Sequence, residues 1–317
     1  MAATDHFVRD DVRAFLAMLE QIGSPGVEQV GAVEGRLQMR AMSELAEADP
    51  APLAVIRDLV CPGPAGDIPL RFYDTQETRD PGPVVVFIHG GGFVIGDLEV
   101  YHSVCTEISH QLDLPVVSVD YRLAPEHPFP AAPDDCEAAA RWIASSPAEL
   151  DRDVTGLIIT GDSAGGNLTI VTTSALMRAP SAAPVLVQAP IYPVANDISQ
   201  HQSLRDFGEG HFLTAAMMAW FTQQYGGDPA DPRLMPMAGD CSVAPPTVVC
   251  TAGLDPLRDS GRAYAAHLIE RGIDVSYLEF PGIIHGFITT RKAIPSGQRD
   301  LAAFLDAVRA MLQRSEG

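Results

Sequence analysis

The chain has 317 residues, of which 41 are acidic and 21 basic, and its formal net charge is −20 at pH 7. Nucleic acids and anionic membrane surfaces are bound through basic patches, so this charge argues against both as partners. The first residues lack the basic and apolar regions of a signal peptide, and no apolar run is long enough to span a bilayer. We expect a soluble protein with a self-repelling surface, and a saline habitat is an alternative explanation of the acidity.

In chain order, the first predicted elements are a helical segment and a pair of strands. Residues 1 to about 48 place apolar side chains at helical spacing, as at Val12, Phe15 and Leu19. The runs Val55–Cys61 and Ile68–Tyr73 are joined by a turn rich in proline and glycine, which predicts two antiparallel strands at a sheet edge. From residue 84 onward, β-type runs alternate with helical stretches, which is typical of a mostly parallel sheet with helices on both faces.

Three successive glycines follow the first strand of this alternating region. The apolar run Pro83–Ile88 predicts a buried strand, and His89-Gly90-Gly91-Gly92-Phe93 comes directly after it. Glycines let the backbone approach a ligand closely and point N–H groups into a site, which an oxyanion hole requires. We expect Gly91 and Gly92 to donate these N–H groups, and His89 to brace the loop rather than act as a base.

A serine between two glycines stands at a later strand-to-helix junction. An apolar, β-branched run precedes Gly161-Asp162-Ser163-Ala164-Gly165-Gly166-Asn167, which opens a segment of helical character. Gly-x-Ser-x-Gly at such a junction is the nucleophile elbow, a tight turn that lifts the serine hydroxyl clear of the sheet. Ser163 would lie at a helix N-terminus, where N–H groups favour a developing negative charge, and Ala164 would give a third oxyanion donor. We interpret Asp162 and Asn167 as hydrogen-bonding scaffold.

A second segment outside the predicted sheet follows the strand Val185–Ile191. It runs from about Asn196 to Gly227 and is rich in aromatic residues and methionine. Most of these side chains are explained by packing between the cap and the core, but several could line an acyl pocket, since flexible methionines and aromatics accommodate chains of differing shape. The residues that we expect to line a substrate pocket are Phe212, Leu213 and Met217.

Two further apolar runs, each predicted to be a strand, end just before Asp255 and His285. Ligands of open α/β sheets bind beyond the carboxyl ends of the strands, so we expect both side chains at the same edge as Ser163. The serine would be the nucleophile, His285 the base and Asp255 the acid that orients it. Asp259 is an alternative acid, although a carboxylate at the start of a helix is ordinarily explained by capping or the helix dipole.

Other chemistries are disfavoured by the residues present. No cluster of His, Cys, Asp and Glu has metal-ligand spacing, and Ile95 stands where a dinucleotide-binding loop needs glycine. Lys292 is the single lysine, and its neighbours fit neither a phosphate-binding loop nor a Ser-x-x-Lys nucleophile. Five scattered cysteines without a Cys-x-x-Cys pair fit reduced thiols in the cytoplasm. We expect no metal and no cofactor.

Together these motifs resemble the bacterial hormone-sensitive-lipase-like (family IV) esterases of the α/β-hydrolase superfamily. The resemblance covers roughly residues 84 to 290 and rests on five segments in family order: HGGGF at 89–93, the proline-rich run at 121–132, GDSAGGN at 161–167, DPLRD at 255–259 and HGF at 285–287. The chain order Ser163, Asp255, His285 matches that superfamily and differs from those of chymotrypsin and subtilisin. The aspartate before the serine is similar to the Gly-Asp-Ser-Ala-Gly subgroup. Ser260 departs from relatives that often carry an acidic residue there, outside the proposed triad.

The resemblance implies an α/β-hydrolase fold, with a mostly parallel central sheet flanked by helices and covered by a helical cap. We expect residues 1–48 and 196–227 to form the cap, and residues 49–195 and 228–317 to form the catalytic domain. The family is compatible with a homodimer, which no residue of the sequence tests.

The activity that the resemblance implies is that of a serine carboxylesterase acting on short- to medium-chain acyl esters, with no cofactor. An amidase or thioesterase with the same triad is an alternative. A non-catalytic ligand-binding protein on this fold is a second alternative, against which the retained His285 argues.

Overall fold

The structure of the protein is a computed structural model, which describes residues 6–315. Over these residues the chain forms a sheet of eight strands in the spatial order β1-β2-β4-β3-β5-β6-β7-β8. In chain order the strands are β1 (Val55–Gly63), β2 (Gly66–Asp74), β3 (Gly82–Ile88), β4 (Val116–Val119), β5 (Val154–Asp162), β6 (Val185–Ile191), β7 (Thr247–Leu254) and β8 (Val275–Ile284). Because β3 to β8 pair in parallel, the expected mostly parallel sheet is confirmed.

The antiparallel part of the sheet is confined to one edge. β1 and β2 form a hairpin in which Val55 lies opposite Asp74 and Gly63 opposite Gly66, and β1 is the edge strand. The predicted antiparallel pair is therefore confirmed, with both strands slightly longer than expected. β2 also pairs antiparallel with β4, a strand of four residues that the sequence patterns did not single out.

Helices cover both faces of the sheet, as expected. Over the described residues they are α1 (Asp10–Ile22), α2 (Val27–Val30), α3 (Ala32–Ala46), α4 (His102–Leu112), α5 (Ala131–Ala144), α6 (Ala164–Arg178), α7 (Gln202–Phe207), α8 (Ala215–Tyr225), α9 (Arg258–Ile269) and α10 (Pro295–Ser315). Along β3, Val85 and Phe87 belong to one buried core with α4 and α10, while Val84, Val86 and Ile88 belong to another with α5 and α6. A strand buried on both faces requires a continuous apolar run, which this segment has.

Five helices come from the two segments expected to form a cap, and we call them the cap helices: α1, α2, α3, α7 and α8. The N-terminal segment is broken into three helices, because Gly23 and Gly31 adopt positive φ angles of 63° and 83° at the ends of α1 and α2. The two segments meet where the Phe15 ring packs edge-on against Phe212, with centroids 5.8 Å apart. The first five residues of the expected cap lie outside the described part of the chain.

Arg36 of α3 ties the cap helices to the loops that surround Ser163. Its guanidinium donates to the carbonyl oxygens of Val94 and Ala124 and to both carboxylate oxygens of Glu126, over distances of 2.6–3.0 Å. The glycine-containing loop after β3 and the proline-rich run at 121–132 are therefore both held against α3.

The five cysteines are all buried and free. Burial raises the pKa of Cys105 to about 12, so this thiol stays protonated and unreactive near neutral pH. Over the described residues, no helix combines the length and the apolar character needed to cross a bilayer.

Candidate active site

Ser163 stands in a sharp turn between β5 and α6. β5 ends directly before it, α6 begins directly after it, and its φ of 56° and ψ of −116° are strained for a residue with a side chain. The flanking residues Gly161 and Gly165 must be glycines because the backbone of β3 passes too close to leave room for a side chain. A Cβ added to Gly161 or Gly165 would lie 2.1 or 2.0 Å from the carbonyl oxygen of Ile88. The serine hydroxyl is thereby presented at the carboxyl ends of the strands, as its motif predicts.

The side chains of Ser163, His285 and Asp255 form a chain of hydrogen bonds. Oγ of Ser163 lies 2.9 Å from Nε2 of His285, and Nδ1 of His285 lies 2.7 Å from Oδ2 of Asp255. A hydroxyl that donates to Nε2 requires the imidazole proton on Nδ1, from which it is donated to the carboxylate. His285 and Asp255 are 7% and 0% exposed, so their packing fixes this geometry. The serine can therefore pass its proton to a base that a buried carboxylate orients.

The two candidate acids have different surroundings. Oδ1 of Asp255 accepts from the backbone N–H two residues further on at 2.7 Å, which leaves Oδ2 for His285. Asp259, in the first turn of α9, accepts from the backbone N–H of Ser203 at 2.9 Å and from the guanidinium of Arg258 at 3.0 Å. Asp259 therefore holds α7 against α9, and Asp255 is the carboxylate that faces the imidazole.

The glycine loop after β3 faces the same serine. Gly91 and Gly92 have φ angles of 111° and 60°, conformations that favour glycine. Within residues 6–315, the backbone N–H groups of Gly91, Gly92 and Ala164 donate to no other protein group. Each of these residues lines a cavity that opens on Ser163. The structure thus brings together the three residues expected to form an oxyanion hole, with the N–H groups that such a site needs.

Asp162 joins the serine turn to the glycine loop. Its Oδ1 accepts from the backbone N–H of Gly90 at 2.7 Å, and its Oδ2 accepts from the hydroxyls of Tyr101 and Tyr192 at 3.1 and 3.4 Å. Burial raises the pKa of this carboxyl to about 6, although nearby His285 and the three donors oppose the rise. These contacts agree with the scaffold role expected from the sequence.

His89 and Asn167 brace the loops around the serine. The His89 ring stacks on Tyr121 with centroids 4.3 Å apart, and its Nδ1 donates to the carbonyl oxygen of Gly90 at 2.7 Å. Burial lowers the pKa of His89 to about 4, so the ring is neutral near pH 7. Nδ2 of Asn167 donates to two backbone carbonyl oxygens at 2.8 and 2.9 Å. Both side chains therefore have the contacts of supporting residues.

Two cavities open on Ser163, with volumes of about 300 and 760 Å³. We call the smaller one the His285 chamber and the larger one the Ala164 chamber, each after a residue that lines that chamber and not the other. The residues expected to line a substrate pocket all line the smaller chamber: Phe212, Leu213 and Met217. Phe221 lines both chambers, and sequence reasoning did not select it from the apolar run around it.

The fold and this arrangement of side chains define an α/β hydrolase. The profile of the alpha/beta hydrolase fold family matches residues 85–289, which include Ser163, Asp255 and His285. The chain belongs to this family.

Several relatives are similar over most of the chain. Ethyl acetate hydrolase of Pseudomonas putida is 32% identical over 314 residues, which cover 95% of this chain and 98% of that protein. The carboxylic ester hydrolase LipN of Mycobacterium tuberculosis is 37% identical over 293 residues, which cover 89% of this chain and 77% of that protein. The names of these relatives confirm the resemblance to esterases that the sequence motifs indicate.

Solved structures agree with the sequence relatives. The ester-hydrolase EH1AB1 from the metagenome of Lake Arreo, complexed with a derivative of bipyridine phosphonate, superposes with a TM-score of 0.90 at 37% identity. A thermostable esterase from Pseudomonas putida ECU1011 superposes with a TM-score of 0.91 at 27% identity. Each match covers 96% of this chain and 98% of the other.

Proposed function

We propose that the protein is a serine carboxylesterase that hydrolyses small-molecule esters through Ser163, His285 and Asp255. The observation that carries the proposal is the pair of hydrogen bonds, 2.9 and 2.7 Å long, that joins these side chains beside free backbone N–H groups. The relatives named as ester hydrolases support the same class of reaction. The proposed chemistry uses these residues and one water molecule.

In the first half of the reaction, Oγ of Ser163 attacks the ester carbonyl carbon while Nε2 of His285 takes the hydroxyl proton. The carbonyl oxygen becomes an oxyanion, which the N–H groups of Gly91, Gly92 and Ala164 stabilise. One such donor is worth on the order of 3 kcal/mol in the transition state. The carbon–oxygen bond to the alcohol then breaks, and His285 gives its proton to the leaving oxygen.

In the second half, water replaces the alcohol and the acyl group leaves the serine. His285 takes a proton from water, and the hydroxide attacks the acyl carbon through a second oxyanion. Oγ of Ser163 leaves with the proton returned by the imidazole, and the carboxylic acid is released. Throughout, Asp255 keeps the imidazole in the required tautomer and stabilises its charged form.

The proposal extends to the cap and the substrate. We assign residues 1–48 and 196–227 to the cap, and residues 49–195 and 228–317 to the catalytic domain. Both cap segments contribute to the smaller chamber at the serine, which supports this division. A pocket beneath a cap suits short- to medium-chain acyl esters better than a lipid interface does. The proposed pocket residues remain Phe212, Leu213 and Met217.

We also propose a cytoplasmic enzyme, because five free, buried cysteines fit a reducing compartment. The net charge of −20 continues to argue against nucleic acid as a partner. The family resemblance suggests a homodimer, which sedimentation of the purified protein tests directly.

The test is the hydrolysis of p-nitrophenyl esters from acetate to palmitate by the wild-type protein and by Ser163→Ala. We expect turnover to peak at short or medium acyl chains and to fall about a million-fold in the variant. Equal turnover by both proteins would refute the proposed nucleophile. Matched anilide and thioester substrates test the two alternatives. An amidase would hydrolyse the anilides faster than the esters, and a thioesterase would hydrolyse the thioesters faster.

A further inference from the structure

A third cavity, of about 240 Å³, lies beside the C-terminal half of α6, the helix whose N-terminal end follows Ser163. We call it the α6 cavity, because residues 170–175, 177 and 178 of that helix line it. Residues 232–244 separate it from the Ala164 chamber: Pro236 and Cys241 line the α6 cavity, whereas Leu234 and Met237 line the chamber. No residue lines both the α6 cavity and a chamber at the serine, so the α6 cavity is a separate space.

Three buried polar side chains that line the α6 cavity have an oxygen without a hydrogen-bond partner. These oxygens are Oγ1 of Thr172, Oγ1 of Thr173 and Oε1 of Gln188, none of which is hydrogen-bonded within residues 6–315. The three residues are at most 1% exposed. The amide nitrogen of Gln188 is already used, because it donates to the hydroxyls of Thr247 and Tyr264 at 2.9 and 2.8 Å. Leaving buried oxygens unpaired is unfavourable, and the adjoining cavity has room for a partner.

The charged side chains of the α6 cavity favour a neutral ligand. All of them are exposed or half-buried, so they lie toward solvent: Asp134, Glu137, Arg178, Arg233 and Asp240. Asp134 pairs with Arg233 at 3.3 Å, and Glu137 pairs with Arg141 at 2.8 Å, so a cation finds two of the three carboxylates taken. The third, Asp240, accepts from the backbone N–H two residues further on at 2.9 Å. An anion is disfavoured because acidic side chains outnumber basic ones here and the chain carries −20.

The shape and chemistry of the α6 cavity define the ligand further. Its volume of about 240 Å³ is close to the 300 Å³ of the His285 chamber, so a small organic molecule fits. Apolar side chains such as Ile170, Met177 and Val243 line it beside the polar ones. A partner for Oε1 of Gln188 must donate a hydrogen bond, and a partner for a threonine hydroxyl can accept one. A hydroxyl group does both without carrying a charge.

We infer that the α6 cavity binds a short-chain alcohol. The hydroxyl of the alcohol bonds to the unpaired oxygens of Thr172, Thr173 and Gln188, and its alkyl chain lies against the apolar walls. This inference goes beyond the proposed ester hydrolysis and does not depend on it, because the α6 cavity shares no residue with the chambers at Ser163.

The experiment is an NMR titration of the wild-type protein labelled with ¹³C at its methionine methyl groups. Met177 reports on the α6 cavity, while Met217 and Met218 report on the His285 and Ala164 chambers, and a Met→Leu variant of each assigns its signal. The probes are 1-butanol and its isomer methyl propyl ether, which has no hydroxyl to donate. We expect 1-butanol to shift the Met177 signal to saturation, with a dissociation constant at least about fivefold lower than that of the ether.

Matched variants remove hydroxyls from α6 while nearly keeping the size of the side chains. The double variant Thr172→Val/Thr173→Val should raise the dissociation constant of 1-butanol about fivefold, toward that of the ether. Thr169→Val is the control, because the Thr169 hydroxyl already donates to the carbonyl oxygen of Gly165 at 2.8 Å and Thr169 does not line the α6 cavity. This control should change the dissociation constant by less than about twofold.

Three results would overturn the inference. An unchanged Met177 signal would mean that water alone occupies the α6 cavity, and equal affinities for the two isomers would mean that the hydroxyl is not recognised. Tighter binding of butyrate than of 1-butanol would mean an anion site. Should the double variant fail to fold, as judged by thermal melting, the comparison of the isomers on the wild-type protein decides. The Met177 signal does not require turnover, so a failure of the proposed hydrolysis would appear separately, in the p-nitrophenyl ester assay.

Discussion

The carboxylate of Asp162 accepts a hydrogen bond from the backbone N–H of Gly90, 72 residues earlier in the chain, at 2.7 Å. This bond connects the turn that carries Ser163, the proposed nucleophile, to the loop that carries two of the proposed oxyanion donors. β3 and β5 are neighbours in the sheet, with Ile88 opposite Gly161, so both loops begin at the same level. Because the pairing fixes where the loops start, one buried carboxylate can fix the distance between them.

Asp162 should make stability depend on pH, and Asp162→Asn should remove that dependence. Burial raises the pKa of this carboxyl from 3.8 to about 6. Between these values the folded protein holds a proton that the unfolded chain has lost, so stability falls as the pH rises from about 4 to 6. Asparagine keeps an acceptor for Gly90 and does not titrate. As the pH rises from about 4 to 6, the unfolding free energy of the wild type should fall by on the order of 2 kcal/mol relative to that of the variant, measured by urea denaturation.

A matched control for this experiment is Asp120→Asn. Burial also raises the pKa of Asp120 to about 6, so its variant should flatten the stability profile in the same sense. Asp120 makes no contact with the serine turn or the glycine loop among the described hydrogen bonds. Only the change at Asp162 should therefore lower kcat, because only Asp162 contacts the glycine loop, and a neutral amide accepts more weakly from the Gly90 N–H than a carboxylate does. A pH profile identical in the wild type and Asp162→Asn would contradict the argument.

The two candidate acids can be separated by a pair of isosteric variants. Asp255→Asn should lower kcat about 10,000-fold, because an amide facing Nδ1 favours the wrong imidazole tautomer. Asp259→Asn should lower kcat by less than about tenfold, since asparagine can still accept from Ser203 and the imidazole is untouched. The measurement is kcat on p-nitrophenyl butyrate at pH 8, with thermal melting to verify folding. The opposite ranking of the two variants would reassign the acid.

The proximity of the three proposed catalytic residues could be predicted from the sequence because each one directly follows a strand. Ser163, Asp255 and His285 come after β5, β7 and β8, and parallel strands bring their carboxyl ends to one edge. Their proximity in space can therefore be predicted although they lie far apart along the chain. The glycines beside Ser163 are equally local, because the turn itself requires them.

The surroundings of these residues could not be predicted in the same way. β4 has only four residues, which is too short a run to show a period. α8 is apolar on several sides, so no stripe distinguishes Met217, Met218 and Phe221 by the cavities that they face. The contact between Arg36 and Glu126 joins residues 90 positions apart, and no local pattern predicts such a pair.

The contact between Gly92 and Phe221 predicts a defect that a second substitution should partly repair. In Gly92→Ala, the new methyl group would lie 2.3 Å from the Phe221 ring and would strain a backbone with φ of 60°, so the donor N–H should move and kcat should fall about 100-fold or more. Gly272→Ala is the control for strain alone, because Gly272 has φ of 76° with open space around it. It should cost about 1 kcal/mol of stability without an effect on kcat. Adding Phe221→Ala to Gly92→Ala should recover part of the lost kcat on p-nitrophenyl acetate, since it removes the clash and leaves the strain. No recovery in the double variant would mean that the ring does not set the position of the oxyanion loop.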